Sequence, residues 1–110
     1  MKINYVELPV LDFSAAKAFY GTAFGWTFED WGPTYTAFSN AGLEGGFRKT
    51  DTPPPRGGTL VILKADDLEA AEQAVVDAGG EITERHEFPG GRRFHFTDPS
   101  GNELAVWTTT

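Results

Sequence analysis

Residues 92–107 read RRFHFTDPSGNELAVW, and this stretch decides the fold. Two runs that favour strands flank the turn Asp98-Pro99-Ser100-Gly101-Asn102. Pro99 presets φ at the second turn position, and Gly101 or Asn102 can take the positive-φ place that other residues avoid. In the first run Phe94 and Phe96 alternate with Arg93, His95 and Thr97; in the second, Leu104 and Val106 alternate with Glu103, Ala105 and Trp107. Such a period of two marks strands with one apolar and one mixed face. The mixed face of this hairpin carries Arg93, His95, Glu103 and Trp107, a set suited to lining a pocket.

Ahead of the hairpin, Thr59 to Lys64 reads as a strand in which Val61 and Leu63 alternate with Leu60 and Ile62. Asp66 or Asp67 caps a helix whose inner face is Leu68, Ala71, Val75 and Ala78, and Gly79-Gly80 stops it. Glu81 to Phe88 is the next strand, turned by Pro89-Gly90-Gly91. The first half of the chain has the same order. Ile3 to Val10 is a strand, and Asp12 (or Ser14) caps a helix with Ala16, Phe19, Tyr20, Ala23 and Phe24 at helical spacing before Gly25 ends it. Trp26 to Glu29, Thr34 to Ser39 and Leu43 to Arg48 follow as strands. Between the halves, Thr50 to Gly58 (TDTPPPRGG) has no hydrophobic pattern, and its three prolines make a stiff connector. The reading is therefore one α+β domain over residues 1–110: module one at 1–49, connector at 50–58, module two at 59–110. Two copies of a unit that cannot close its own core pack together.

Composition narrows the function. At 110 residues with 40% hydrophobic and 14% aromatic content, the chain can bury a core. Nine basic against sixteen acidic residues, a net charge of −7, argue against nucleic acid, which needs a basic stripe. Eight of the acids lie between Asp66 and Glu87, where they mark a solvated helix face and an outer strand. No run approaches the ~18 apolar residues of a membrane span. MKINYVELPV lacks the pattern of a signal peptide, so a cytoplasmic location is expected. With no cysteine there is no disulfide, thiolate site or cysteine nucleophile. No glycine run fits a phosphate-cradling motif, and no serine sits in a nucleophile elbow.

The repeated strand-helix-strand-strand-strand unit, VELPVLDFSAAKAFYGTAFGW near the start and DPSGNELAVW near the end together resemble the vicinal oxygen chelate superfamily. That group contains glyoxalases, extradiol dioxygenases and bleomycin-resistance proteins. The small glyoxalase-like branch with a Gly-Gly in the fourth strand, here Gly45-Gly46, is the nearest in pattern. The resemblance implies two βαβββ modules whose eight strands make a curved mixed sheet around a cleft, helices outside, in a homodimer. In metal-using members, four inward residues on the first and last strand of each module hold one divalent ion. Carried over, those places are Tyr5, Gly45 or its neighbour Glu44, Leu60 and Ala105. Only Glu44 is a good donor, so no metal cofactor is expected there.

Among the residues themselves, His95 is the sharpest candidate for acid/base or hydrogen-bonding work, with Glu103 placed to orient its ring. A structural pairing of His95 is the blander alternative. Glu7, on the same side of its strand as Tyr5, could bind a cation or act as a base, or pair with Arg93 or Lys64. Glu7, His95 and Glu103 could also form a displaced metal site. Trp26, Trp31, Tyr35, Phe38 and Trp107 suit aromatic cleft walls, although core packing accounts for many such residues. Arg92 and Arg93 could attract an anion. The expected ligand-binding set is Tyr5, Glu7, Tyr35, Phe38, Leu60, Ile62, Arg93, His95, Glu103, Ala105 and Trp107.

Three functions compete. The first is metal-independent binding of a small aromatic or cationic molecule. The second is a metal-dependent lyase, isomerase or dioxygenase with rearranged ligands, and the third a regulatory module without chemistry.

Overall fold

Each half of the chain builds strand, helix and three strands, because each supplies its own cap, helical spacing and turns. In the computed structural model, which describes residues 1–110, the first half forms β1 (Tyr5–Val10), α1 (Phe13–Phe24), β2 (Thr27–Asp30), β3 (Tyr35–Ser39) and β4 (Glu44–Lys49). The second forms β5 (Val61–Lys64), α2 (Leu68–Asp77), β6 (Glu81–Phe88), β7 (Gly91–Thr97) and β8 (Glu103–Thr109). Of the alternative caps, Asp12 accepts from the backbone of Ala15 and Asp67 from that of Ala70. Residues 50–60 lie outside helix and strand.

The strands make two four-stranded sheets, ordered β1-β4-β3-β2 and β5-β8-β7-β6. In each, the first and last strands of the module pair in parallel and the remaining neighbours are antiparallel. A parallel partner must return from the far end, and the helix with two intervening strands supplies that crossover. This is the α+β, two-module architecture the repeat implies, with β1 and β5 as edges of separate hydrogen-bonded sheets.

One core serves both modules. Leu8 and Val10 of β1, Phe19 and Tyr20 of α1, Val75 of α2, and the predicted apolar face of the hairpin (Phe94, Phe96, Leu104, Val106) belong to a single buried cluster. Trp26 stacks between Tyr20 and Phe38, at 4.6 Å from each. Both sheets therefore turn their apolar faces toward this cluster and their mixed faces away from it.

The turn that opens the sequence reading is a structural staple. Asp98 accepts from the backbone N–H of Ser100 and of Asn102, both at 2.9 Å, and from the buried Tyr20 hydroxyl at 2.7 Å. Asn102 donates through Nδ2 to the Pro9 carbonyl at 2.7 Å, and Ser100 Oγ accepts from Leu11 N at 2.9 Å. Gly101 takes the left-handed place, at φ 97°. Module two is thus tied to β1 and α1 by polar groups that would otherwise be buried without partners.

Candidate functional site

Alternation along β1, β3 and β4 sends Tyr5, Glu7, Tyr35 and Arg48 to the outer face of sheet one. The Tyr5 and Tyr35 hydroxyls are 2.6 Å apart, and Glu7 Oε1 lies 3.4 Å from Arg48 Nε. Glu7 thus pairs within its own sheet rather than with Arg93 or Lys64. Gly46 makes room for Tyr35: a Cβ at that position would overlap the Tyr35 ring. Burial, together with the hydrogen bonds of Tyr5 and Glu7, pushes the Tyr35 hydroxyl well above the usual tyrosine range, so it stays a phenol.

The outer face of sheet two is built around His95, which is only 6% exposed. Its Nδ1 lies 3.2 Å from Glu103 Oε2 on β8 and 3.9 Å from Glu84 Oε2 on β6. Glu84 in turn meets His86 Nε2 at 2.8 Å, and the two imidazole rings are 5.4 Å apart at a steep angle. Arg56, from the connector, reaches Glu103 at 3.3 Å. The hydrogen bond from His86 is the main reason the Glu84 carboxyl sits below the usual carboxylate range. Beside this group, Lys64 Nζ lies 5.3 Å from the centre of the Trp107 ring, a cation–π contact, and Phe88 packs 6.5 Å from the same ring.

The expected ligand-binding residues are thus divided. Register places Arg93, His95, Glu103, Ala105, Trp107 and Ile62 on the outer face of sheet two. Tyr5, Glu7 and Tyr35 share that of sheet one. Phe38 turns the other way and is buried in the core, while Leu60 precedes β5. Trp31 is 63% exposed. Arg92 faces the helix side and pairs with Glu69 of α2.

Sequence reasoning missed Glu84, His86 and Arg56. Plain alternation would put Glu84 and His86 on the same side as Ile82, toward the helix. The strand instead shifts register between Ile82 and Glu84, so Ile82 pairs with Phe96 but Glu84 pairs with His95. One extra residue, Thr83, inverts every later side chain of β6. No local signal announces it.

On the core side, a groove of about 590 Å³ runs between β1 and β5, lined by Val6, Leu8, Trp26, Phe38, Val61 and Leu63 among others. The places where metal-using relatives are expected to hold an ion offer a poor donor set. The Tyr5 hydroxyl is bonded to Tyr35, Glu44 is exposed, and Leu60 and the fully buried Ala105 carry no donor atom. These residues do not fit a divalent ion. An imidazole flanked by two carboxylates, beside an indole, can instead orient a cationic or aromatic guest or move a proton.

A family model described as the glyoxalase/bleomycin resistance protein/dioxygenase superfamily matches residues 2–106. The CFP32 protein of Mycobacterium tuberculosis, provisionally named a glyoxylase, is 32% identical over 116 aligned positions covering 94% of this chain. The chain spans only 44% of that protein's length. Among solved structures, the fosfomycin resistance protein FosX of Listeria monocytogenes, in a complex with Mn(II) and 1S,2S-dihydroxypropylphosphonic acid, aligns with TM-score 0.86 at 18% identity, covering 99% of this chain and 90% of its own. TnmS3, an antibiotic binding protein from Streptomyces sp. CB03234, aligns with TM-score 0.73 at 23% identity, covering 100% and 97%. At these identities the solved structures share the fold.

Proposed function

The chain belongs to the glyoxalase/bleomycin resistance protein/dioxygenase superfamily, and from that premise we propose that it is a cytoplasmic protein that binds a small aromatic or cationic molecule, independently of an ion at the positions where metal-using members hold one. The observation that carries this reading is the chemistry of those positions: Leu60 and Ala105 have no donor, and the Tyr5 hydroxyl is engaged by Tyr35. Beside them stand the groups a flat cation needs. Trp107 and Phe88 offer ring faces, and Glu84 and Glu103 offer carboxylates. The net charge of −7 attracts a cationic guest over distance. TnmS3, an antibiotic binder by name, shares the fold, which supports a binding role.

The complete cleft belongs to a homodimer. Within one chain the mixed faces of the two sheets turn away from the shared core. A second copy would bring the Tyr5–Glu7 face of one chain against the His95–Glu103 face of the other. Light scattering should then report twice the 12.0 kDa chain mass.

The test is a thermal-shift screen in EDTA with aromatic amines, neutral aromatics and thiol conjugates. A ligand that favours the native state raises its melting temperature. At least one class should do so, with the shift lost in Trp107→Ala and Glu103→Gln. A screen in which no compound acts, or in which any shift requires added metal, defeats the reading.

A further inference from the structure

The chain has only two histidines, and both stand in one cluster. Glu84 and His86 lie two apart on β6, His95 is the cross-strand partner of Glu84 on β7, and Glu103 approaches from β8. One donor atom each from Glu84, His86 and His95 falls within 4.8 Å of the others. The pairwise separations are 2.8 Å for His86 with Glu84, 3.9 Å for His95 with Glu84 and 3.2 Å for His95 with Glu103. Donors around a tetrahedral ion with ligand distances of about 2.0–2.2 Å stand about 3.3–3.6 Å apart. These separations straddle that value, and Glu103, which meets the cluster through His95, would move in as the fourth donor.

The cluster is also unfinished as a hydrogen-bond network. His95 is nine-tenths buried and its Nδ1 faces two carboxylates at once, while its Nε2, on the far side of the ring, is buried with no partner. Of the guanidiniums on this face, Arg56 pairs with Glu103, whereas Arg93, the cross-strand partner of His86, forms no ion pair with either carboxylate. Imidazole and carboxylate donors together suit zinc, nickel or cobalt rather than calcium or magnesium.

We propose that Glu84, His86, His95 and Glu103 hold one divalent ion of the zinc, nickel or cobalt type on the outer face of sheet two. This site lies on β6, β7 and β8 and uses none of Tyr5, Glu44, Leu60 or Ala105. It goes beyond the ligand reading and shares Glu84 and Glu103 with it, so the ion and a cationic guest would compete for those carboxylates, and the screen in EDTA tests the ligand reading with the ion removed. Arg56 occupies the mouth of the site as a competing cation and swings away on metal binding.

The experiment is calorimetric titration of zinc chloride into the untagged chain after EDTA stripping and dialysis. One zinc per chain is expected. Glu84→Gln and His86→Ala should each weaken binding roughly tenfold or more, since loss of even an outer-shell partner costs that much. The double variant should bind none. Arg56→Ala should tighten binding by removing the competing charge, whereas Glu44→Ala should leave it unchanged. Glu84 and His86 side chains are half exposed, so these variants keep the fold, which circular dichroism checks. Cobalt(II) in place of zinc should give the visible absorption of a four-coordinate site. Failure to take up zinc below millimolar concentration overturns the proposal, as does uptake that survives in the double variant or follows Glu44. Either failure leaves the EDTA thermal-shift result standing on its own.

Discussion

Two adjacent glycines show how a single position is fixed by different neighbours. A Cβ on Gly45 would run into the Val6 carbonyl and the Phe38 ring, on the core side where backbone cannot yield. A Cβ on Gly46 would meet only the outer end of Tyr35, which can swing into solvent. Overpacking costs typically 1–3 kcal/mol and more when the obstacle is rigid. Gly45→Ala is therefore expected to lose about 3 kcal/mol or more in urea unfolding, and Gly46→Ala about 1–2 kcal/mol. Gly46→Ala should in addition free Tyr35 from Tyr5, visible as a lowered Tyr35 titration in ultraviolet absorbance. Equal losses in the two variants would contradict this division. The Gly-Gly pair is legible in the sequence as a signature; its two unrelated reasons are not, because each depends on a strand far along the chain.

At the scale of elements, legibility followed locality. The hairpin of β7 and β8 could be read with its faces because Pro99, Gly101 and two period-two runs act within sixteen residues. For the same reason each helix start could be narrowed to two candidate caps, Asp12 or Ser14 and Asp66 or Asp67, of which Asp12 and Asp67 make the bond. In strand β3, Tyr35 and Phe38 stand three residues apart, so alternation alone puts them on opposite faces, and packing against Trp26 and Phe47 makes Phe38 the inward one. Strand β6 could not be phased at all without its partner. Its extra residue makes a prediction. Deleting Thr83 would remove the bulge yet leave Ile82 opposite Phe96 and Glu84 opposite His95 in an unbroken ladder, so Ile82 stays inward and Glu84 and His86 stay outward. The deletion should therefore keep both faces and change stability by no more than about 1 kcal/mol. Thr83→Ala keeps the chain length and removes a buried hydroxyl that has no partner, so it should change stability by no more than about 0.5 kcal/mol. Urea unfolding of the two variants side by side checks this, and a loss of several kcal/mol on deletion alone would mean that the bulge itself is needed to hold the two faces.

Across the whole molecule, charged groups set where in pH the fold holds. Asp30, Glu69, Glu72 and Glu84 all titrate below the usual carboxylate range, held there chiefly by hydrogen bonds from Lys17, Arg92, Arg85 and His86 respectively. Between their folded and unfolded values the unfolded chain binds more protons, so stability is present above about pH 4.3 and is lost as pH falls through the folded values. Each exposed pair contributes little, which makes the acid edge shallow. The alkaline edge is different in kind. Tyr20 is fully buried and its hydroxyl is raised by that burial and by Asp98, while Tyr35 is raised at the cleft face. Above about pH 10 the unfolded chain loses these protons and the folded chain keeps them, so stability falls as pH rises. One retained proton corresponds to about 1.4 kcal/mol per pH unit, so the two tyrosines together give a slope of about 2.7 kcal/mol per unit beyond pH 10. Tyr20→Phe removes one of them. It should lower stability at pH 7 by about 1–1.5 kcal/mol, because Asp98 loses a donor, yet halve the alkaline slope so that the two curves converge near pH 11. Urea titrations from pH 7 to 11 measure both quantities, and an unaltered slope in Tyr20→Phe would mean that the buried hydroxyl is not what closes the alkaline side.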